Sequence, residues 1–298
     1  ADGGELAVAQ YRSASESYVY RIDLGRKDAT LITQAEDRWT FNPVGYINDD
    51  AHFLVISDFE GDMRRLFEIE VQSGNLRLVL PKFSAHNVDY AVLNEDRDAL
   101  AVIVNVDGYA ELHLFSLPGF EPIDGPKIAR GVVGNVRLEG KTLLYSLNNA
   151  NTPGLIYKWR LDDPDTAPVR LTRADTQGLD TTRFTLPELI RFESFDGLDV
   201  PAFLYLPEGH KQGDRIPFVV SYHGGPESQY RPRFSRIYQY FLTRGFGVLA
   251  PNVRGSSGYG TAYLEMDNYK KRMDSVRDGV AAARWLIDNG YSAEKMIG

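Results

Sequence analysis

Four similar strand segments recur at intervals of 44 to 47 residues, and after residue 185 the pattern changes to a hairpin followed by alternating strands and helices. These two observations predict a partial β-propeller of about four blades over residues 1–185, followed by the N-terminal part of an α/β-hydrolase domain over residues 186–298.

The repeat segments are Tyr20-Arg21-Ile22-Asp23-Leu24, Phe67-Glu68-Ile69-Glu70-Val71, His113-Leu114-Phe115-Ser116-Leu117 and Tyr157-Lys158-Trp159-Arg160-Leu161. Apolar runs precede the last three, at 53–56, 100–104 and 142–147, and Asn42, Asn87 and Asn135 are expected to open a still earlier strand in each. Only 6–11 precedes the first segment, so the sequence is expected to begin inside a blade. His113 occupies the aromatic slot of its repeat and is read as a packing residue.

Beyond residue 185, Glu188–Ser194 and Asp199–Leu206 flank Asp196-Gly197, a strong hairpin signal. A buried strand over 217–222 runs into His223-Gly224-Gly225-Pro226. A helix follows, with Phe234, Tyr238, Phe241 and Leu242 on its apolar face and Gly245 at its C-terminal cap. Gly247–Ala250 is a second buried strand, leading to the loop from Asn252 to Gly260. The next helix is expected to start at an Asp274 or Ser275 cap, to bury Val276, Val280, Ala283 and Ile287, and to end before Gly290. Met296-Ile297 opens a third parallel strand.

His223-Gly224-Gly225-Pro226, then Arg254-Gly255-Ser256-Ser257-Gly258-Tyr259-Gly260, then Asp278-Gly279 with Trp285-Leu286, occur in the order found in one family. The chain resembles the prolyl oligopeptidase family of serine peptidases, and the His-Gly-Gly-Pro form is similar to its acylaminoacyl-peptidase and dipeptidyl-peptidase-like branch. The resemblance implies a propeller covering the active site, short peptides as substrates, and hydrolysis through an acyl-enzyme. It places a backbone oxyanion donor at Gly225, with His223, Gly224, Glu227 and Arg254 as substrate-side candidates. It also implies that the nucleophile elbow and the Ser, Asp and His of the triad fall beyond Gly298. The sequence is thus expected to be the middle of a longer enzyme, inactive without the remainder of its catalytic domain and propeller.

His223 precedes any elbow and no histidine follows it, which disfavours a catalytic base. Ser256 and Ser257 both miss the Gly-x-Ser-x-Gly spacing. Arg254 to Gly260 read as a structural loop near the rim, with an ion pair favoured over direct substrate contact for Arg254, and Asp274 and Asp278 as carboxylates that cap and pair near a helix start. The acidic turns at Asp49-Asp50 and at Asp162, Asp163 and Asp165 lack the spacing of a calcium loop, so no metal and no cofactor is expected. A peptide- or protein-binding propeller carrying a dead hydrolase remnant, or an esterase of the same superfold, are the alternatives.

Composition fits this picture. The 298 residues are 43% hydrophobic and 25% charged, with a net charge of −8 and no basic block, which disfavours nucleic acid and anionic membrane as partners. There is no cysteine, hence no disulfide and no thiolate chemistry. Homo-oligomer formation and a cytoplasmic or periplasmic location are left open.

Overall fold

The computed structural model describes residues 3–33, 38–48, 50–225 and 227–298, so Asp49 and the Pro226 of the His-Gly-Gly-Pro motif lie outside the described residues. The first sheet is β1 (Glu5–Ser13), β2 (Glu16–Asp23) and β3 (Asp28–Leu31), joined as an antiparallel meander. The second is β4 (Phe41–Ile47), β5 (His52–Ser57), β6 (Arg65–Glu70) and β7 (Leu76–Leu78). The third is β8 (Asn87–Leu93), β9 (Ala99–Val106), β10 (Tyr109–Ser116) and β11 (Glu121–Ile123). The fourth is β12 (Val132–Glu139), β13 (Thr142–Asn149), β14 (Thr152–Arg160) and β15 (Val169–Arg170). The repeat segments coincide with β2, β6, β10 and β14, the equivalent strand of each sheet. The outermost strand of each sheet is short, which limits the edge available for unwanted pairing.

Period-two alternation explains why these sheets stack as blades. On β9, Leu100, Val102 and Val104 pack with Leu54, Ile56 and Leu66 of the second sheet. The intervening Ala99, Ala101 and Ile103 pack with Leu143, Tyr145 and Trp159 of the fourth. Val19 and Ile32 meet Phe41, Phe53 and Val55 in the same way between the first and second sheets. His113 packs its ring 4.6 Å from that of Phe83. Asn135 differs from expectation: it lies inside β12 at φ 49°, where the register with β13 shifts, rather than at a strand start.

The second part is a sheet in the order β16 (Glu188–Glu193), β17 (Asp199–Tyr205), β19 (Gly247–Pro251), β18 (Phe218–Val220). β18 and β19 are parallel, and Ile297 adds a parallel bridge to Phe218 on the far side of β18. Along β17 the pleat again divides the residues. Ala202 and Leu204 join Phe218, Leu249, Ala282 and Leu286 in the core beneath the long helix. Phe203 and Tyr205 join Leu242 on the opposite face, where Tyr109 and Ala150 of the propeller loops complete the cluster. Helix α1 (Arg236–Thr243) is capped by Ser235, whose side chain accepts from the Tyr238 N–H.

Two expectations for the long helix are corrected. After a short α2 (Thr261–Leu264) and two 3₁₀ turns, α3 (Arg272–Asp288) begins ahead of Asp274 and Ser275. Ser275 Oγ donates to the Arg272 carbonyl, and Asp274 pairs with Arg277 in the first turn, so neither is the cap. The buried side carries Asp278, Gly279, Ala282 and Leu286, whereas Val276 and Val280 are about half exposed. The reason is steric and electrostatic. A Cβ on Gly279 would lie 2.0 Å from the Tyr222 hydroxyl, so only glycine admits that ring, and Asp278 turns inward to meet Arg254.

Leu286→Ala is expected to cost about 2–5 kcal/mol, while Val280→Ala stays within about 0.5 kcal/mol. Urea unfolding of both variants checks this, and equal losses would restore the valine face as the buried one.

Candidate active site

β18 and β19 deliver their carboxyl ends to the same edge of the sheet, where open α/β sheets bind ligands in the crevice between successive loops. The loop after β18 carries His223 to Ser235, and the loop after β19 carries Asn252 to Gly260. Propeller residues Arg64, Asp89 and Asn105 close over this edge. Together with His223, Gln229, Arg231, Arg233 and Ser257 they line a cavity of about 510 Å³. A smaller adjoining cavity of about 310 Å³ is lined by Glu227, Asp58, Arg64 and Thr261.

His223 Nε2 lies 2.8 Å from Ser256 Oγ. Ser256 is fully buried and spends its proton on the Val253 carbonyl at 2.6 Å, so the imidazole must be the donor between them. In the neutral ring that bond calls for the Nε2–H tautomer, outweighing the longer 3.5 Å contact of Nδ1 with the Gly224 carbonyl, and burial pushes the pKa below the ordinary histidine value. The histidine therefore bridges the two loops rather than standing free as a base.

Gly224 and Gly225 are exposed at the end of the same strand. Gly225 has φ 88°, a left-handed conformation that glycine adopts without strain. Among the described residues neither backbone N–H donates to a protein acceptor. Glu227 is exposed and faces the adjoining cavity.

Arg254 is placed differently from the expected substrate contact. It is 5% exposed and holds two carboxylates: Asp278 at 2.8 Å and Asp196 at 2.7 Å. Asp278, fully buried, also accepts from the Arg254 backbone N–H at 2.9 Å and from Ser194 Oγ at 2.5 Å. The Phe195 ring lies 4.8 Å from the guanidinium carbon. With its charge matched twice over and solvent excluded, Arg254 joins the hairpin, the β19 loop and α3, and does not reach the cavity.

The sequence reading passed over Arg64, Asp89, Arg231 and Arg233. Arg231-Pro232-Arg233 directly follows the motif loop and was open to notice, whereas Arg64 and Asp89 reach the site only through tertiary folding. Among the described residues, no group of three His, Asp or Glu side chains is arranged to hold a metal ion.

Asp278→Asn, which leaves the buried guanidinium only the rim carboxylate of Asp196, is expected to cost about 3 kcal/mol. Asp196, at the rim, should cost about 1 kcal/mol or less on conversion to Asn. Arg254 lowers the Asp196 pKa to about 2 from 3.8, so its contribution is present above the unfolded value and is lost as pH falls from about 4 toward 2. Urea midpoints of wild type and Asp196→Asn should converge across that interval; a constant gap would remove the pair. In ¹⁵N–¹H spectra His223 should show the Nε2–H tautomer and titrate below the ordinary value, and an Nδ1–H signal would contradict the bridge to Ser256.

Residues 232–298 match the model of the prolyl oligopeptidase family. The chain is 24% identical over 258 residues, 84% of its length, to prolyl oligopeptidase A of Galerina marginata. It is 25% identical over 287 residues, 88% of its length, to dipeptidyl aminopeptidase BIII of Pseudoxanthomonas mexicana. It spans 34% and 39% of those two relatives. Among solved structures, 99% of the chain superposes on a prolyl endopeptidase with a TM-score of 0.86 at 21% identity, covering 43% of that protein. It likewise superposes on a puromycin-hydrolyzing peptidase of Mycobacterium tuberculosis with a TM-score of 0.85 at 21% identity, covering 48%. The propeller-then-hydrolase order, the loop motifs at the carboxyl edge of the sheet and these matches agree: the chain is similar to the prolyl oligopeptidase family, whose model it matches over residues 232–298.

Proposed function

We propose that the chain is the substrate-facing part of a serine peptidase that hydrolyses short peptides through an acyl-enzyme. The observation that carries this reading is the unspent N–H of Gly225, in the loop after β18 whose His223 and Ser228 line a cavity that propeller residues close over. When a serine oxygen adds to a peptide carbonyl, negative charge develops on the carbonyl oxygen. A fixed backbone donor stabilises it without reorganisation. Collapse of the adduct expels the amine, which takes the proton held by the base, and water then releases the acyl group.

The chain has no Gly-x-Ser-x-Gly turn, Ser256 is locked in hydrogen bonds, and His223 is tied to Ser256. Nucleophile, base and acid are therefore assigned to residues outside this sequence. Asp89, Arg64 and Asn105 reach in from the propeller, which favours short, flexible peptides over folded proteins.

The test uses the full-length protein. A fluorophosphonate should label one serine, and a blocked-peptide amide should be turned over while a folded protein of similar sequence is not. Gly225→Ala, which adds a side chain at φ 88°, should lower kcat by up to about 10²–10³ with a smaller effect on KM. Turnover of esters alone would point to an esterase, and an unlabelled, inactive protein would leave only a binding role.

A further inference from the structure

The cavity that His223 lines also carries three guanidinium groups, Arg64, Arg231 and Arg233, and one carboxylate, Asp89. Asp89 is spent on Arg231 at 2.6 Å, with both side chains about six-sevenths buried. Arg231 Nε donates to the Gly108 carbonyl at 2.8 Å, while its Nη2 is buried without a partner. Gln229 Nε2, on the same lining, is also buried and unpartnered. Among the described residues, no carboxylate stands within ion-pair distance of Arg64 or Arg233.

Arg254 provides the internal comparison, since there one buried guanidinium holds two carboxylates. A structural role satisfies its charges. The cavity does the reverse: the positive charge of Arg64 and Arg233 stands in excess, and the Arg231 Nη2 and Gln229 Nε2 donors are buried, where leaving them unpaired is costly. An anion entering it gains charge-assisted hydrogen bonds to planar forks suited to a carboxylate.

We propose that this cavity binds a carboxylate of the substrate, either an acidic side chain or a free C-terminus, and so makes the enzyme selective for anionic peptides. The inference rests on the peptidase reading above for the identity of the ligand as a peptide. Arg233 and Arg64, one from each part of the molecule, are its specificity residues, and Arg231, held by Asp89, orients the pocket between them.

The test is a set of matched blocked peptides on the full-length protein. Glu replaces Gln at each position in turn, and a free-acid C-terminus replaces an amide, so that the two sources of carboxylate are separated. Turnover and equilibrium titration are read in parallel. One member should bind and react about tenfold better than its neutral partner, the effect of one charge-assisted hydrogen bond. The ratio should fall toward one in Arg233→Gln and in Arg64→Gln, and with added salt. Both arginines reach solvent, so circular dichroism should stay unchanged. No preference at any position, or one that survives both substitutions, would overturn the proposal. Carboxylate-dependent binding with no turnover would keep it and sink the peptidase reading, and turnover without preference would do the opposite.

Discussion

The buried ion pair between Arg254 and Asp278 is the constraint from which the rest of the candidate site's edge takes its shape. Asp278 has no contact with solvent, and its two oxygens are shared among Arg254, the Arg254 backbone and Ser194. Asp278 and those partners together join three elements: α3, the end of β16 and the loop after β19. A charge removed from water is tolerated only when its hydrogen bonds are filled, so each partner is held where the others need it. The loop that carries Ser256 is thereby fixed, and with it the acceptor that holds His223. The position of Gly224 and Gly225 follows from that chain of contacts, although neither touches Arg254.

The propeller meets the hydrolase sheet through a small apolar cluster rimmed by polar contacts. Tyr109 packs edge-on against Phe203 with ring centres 5.6 Å apart. Around it, Asn105 donates to Gln229 at 2.7 Å, Asn148 accepts from the Phe234 N–H at 2.7 Å, and Asp58 accepts from Thr261 at 2.7 Å. Within the hydrolase part, buried Asn252 holds both the N–H and the carbonyl of Tyr230, fixing the strand of chain that faces the propeller. Such contacts add little net stability, because each replaces a bond to water, but a mismatched docking would leave several buried groups unpaired. They set the register of the two parts more than the strength of their association.

Much of this was legible in the sequence. Repeats and alternation located the blades because a strand's pleat is written in its residue order, and the His-Gly-Gly-Pro and Arg-Gly-Ser-Ser-Gly-Tyr-Gly loops placed the site edge by their order. The face of α3 was misread because counting apolar residues favours Val276 and Val280, whereas the sheet below offers Tyr222 and Arg254. A glycine and an aspartate therefore face inward. The role of Arg254 was open between rim and substrate for a similar reason: Asp278 is 24 residues away and Asp196 is 58, and nothing local marks them as partners. The cavity-lining Arg64 and Asp89 lie farther still from the loop they face.

The two arginine environments show how one residue type divides between scaffold and surface of recognition. Arg254 is enclosed, doubly paired and stacked on Phe195, so its charge is consumed in holding the fold. Arg64 and Arg233 sit at the junction of the two parts with their charge unmatched. Neither part alone forms that junction, because Arg64 and Asp89 come from the propeller and Arg231 and Arg233 from the loop after β18. The electrostatic character of the cavity is therefore a property of docking. The polar contacts that fix the register also fix where the unspent charge stands relative to Gly225.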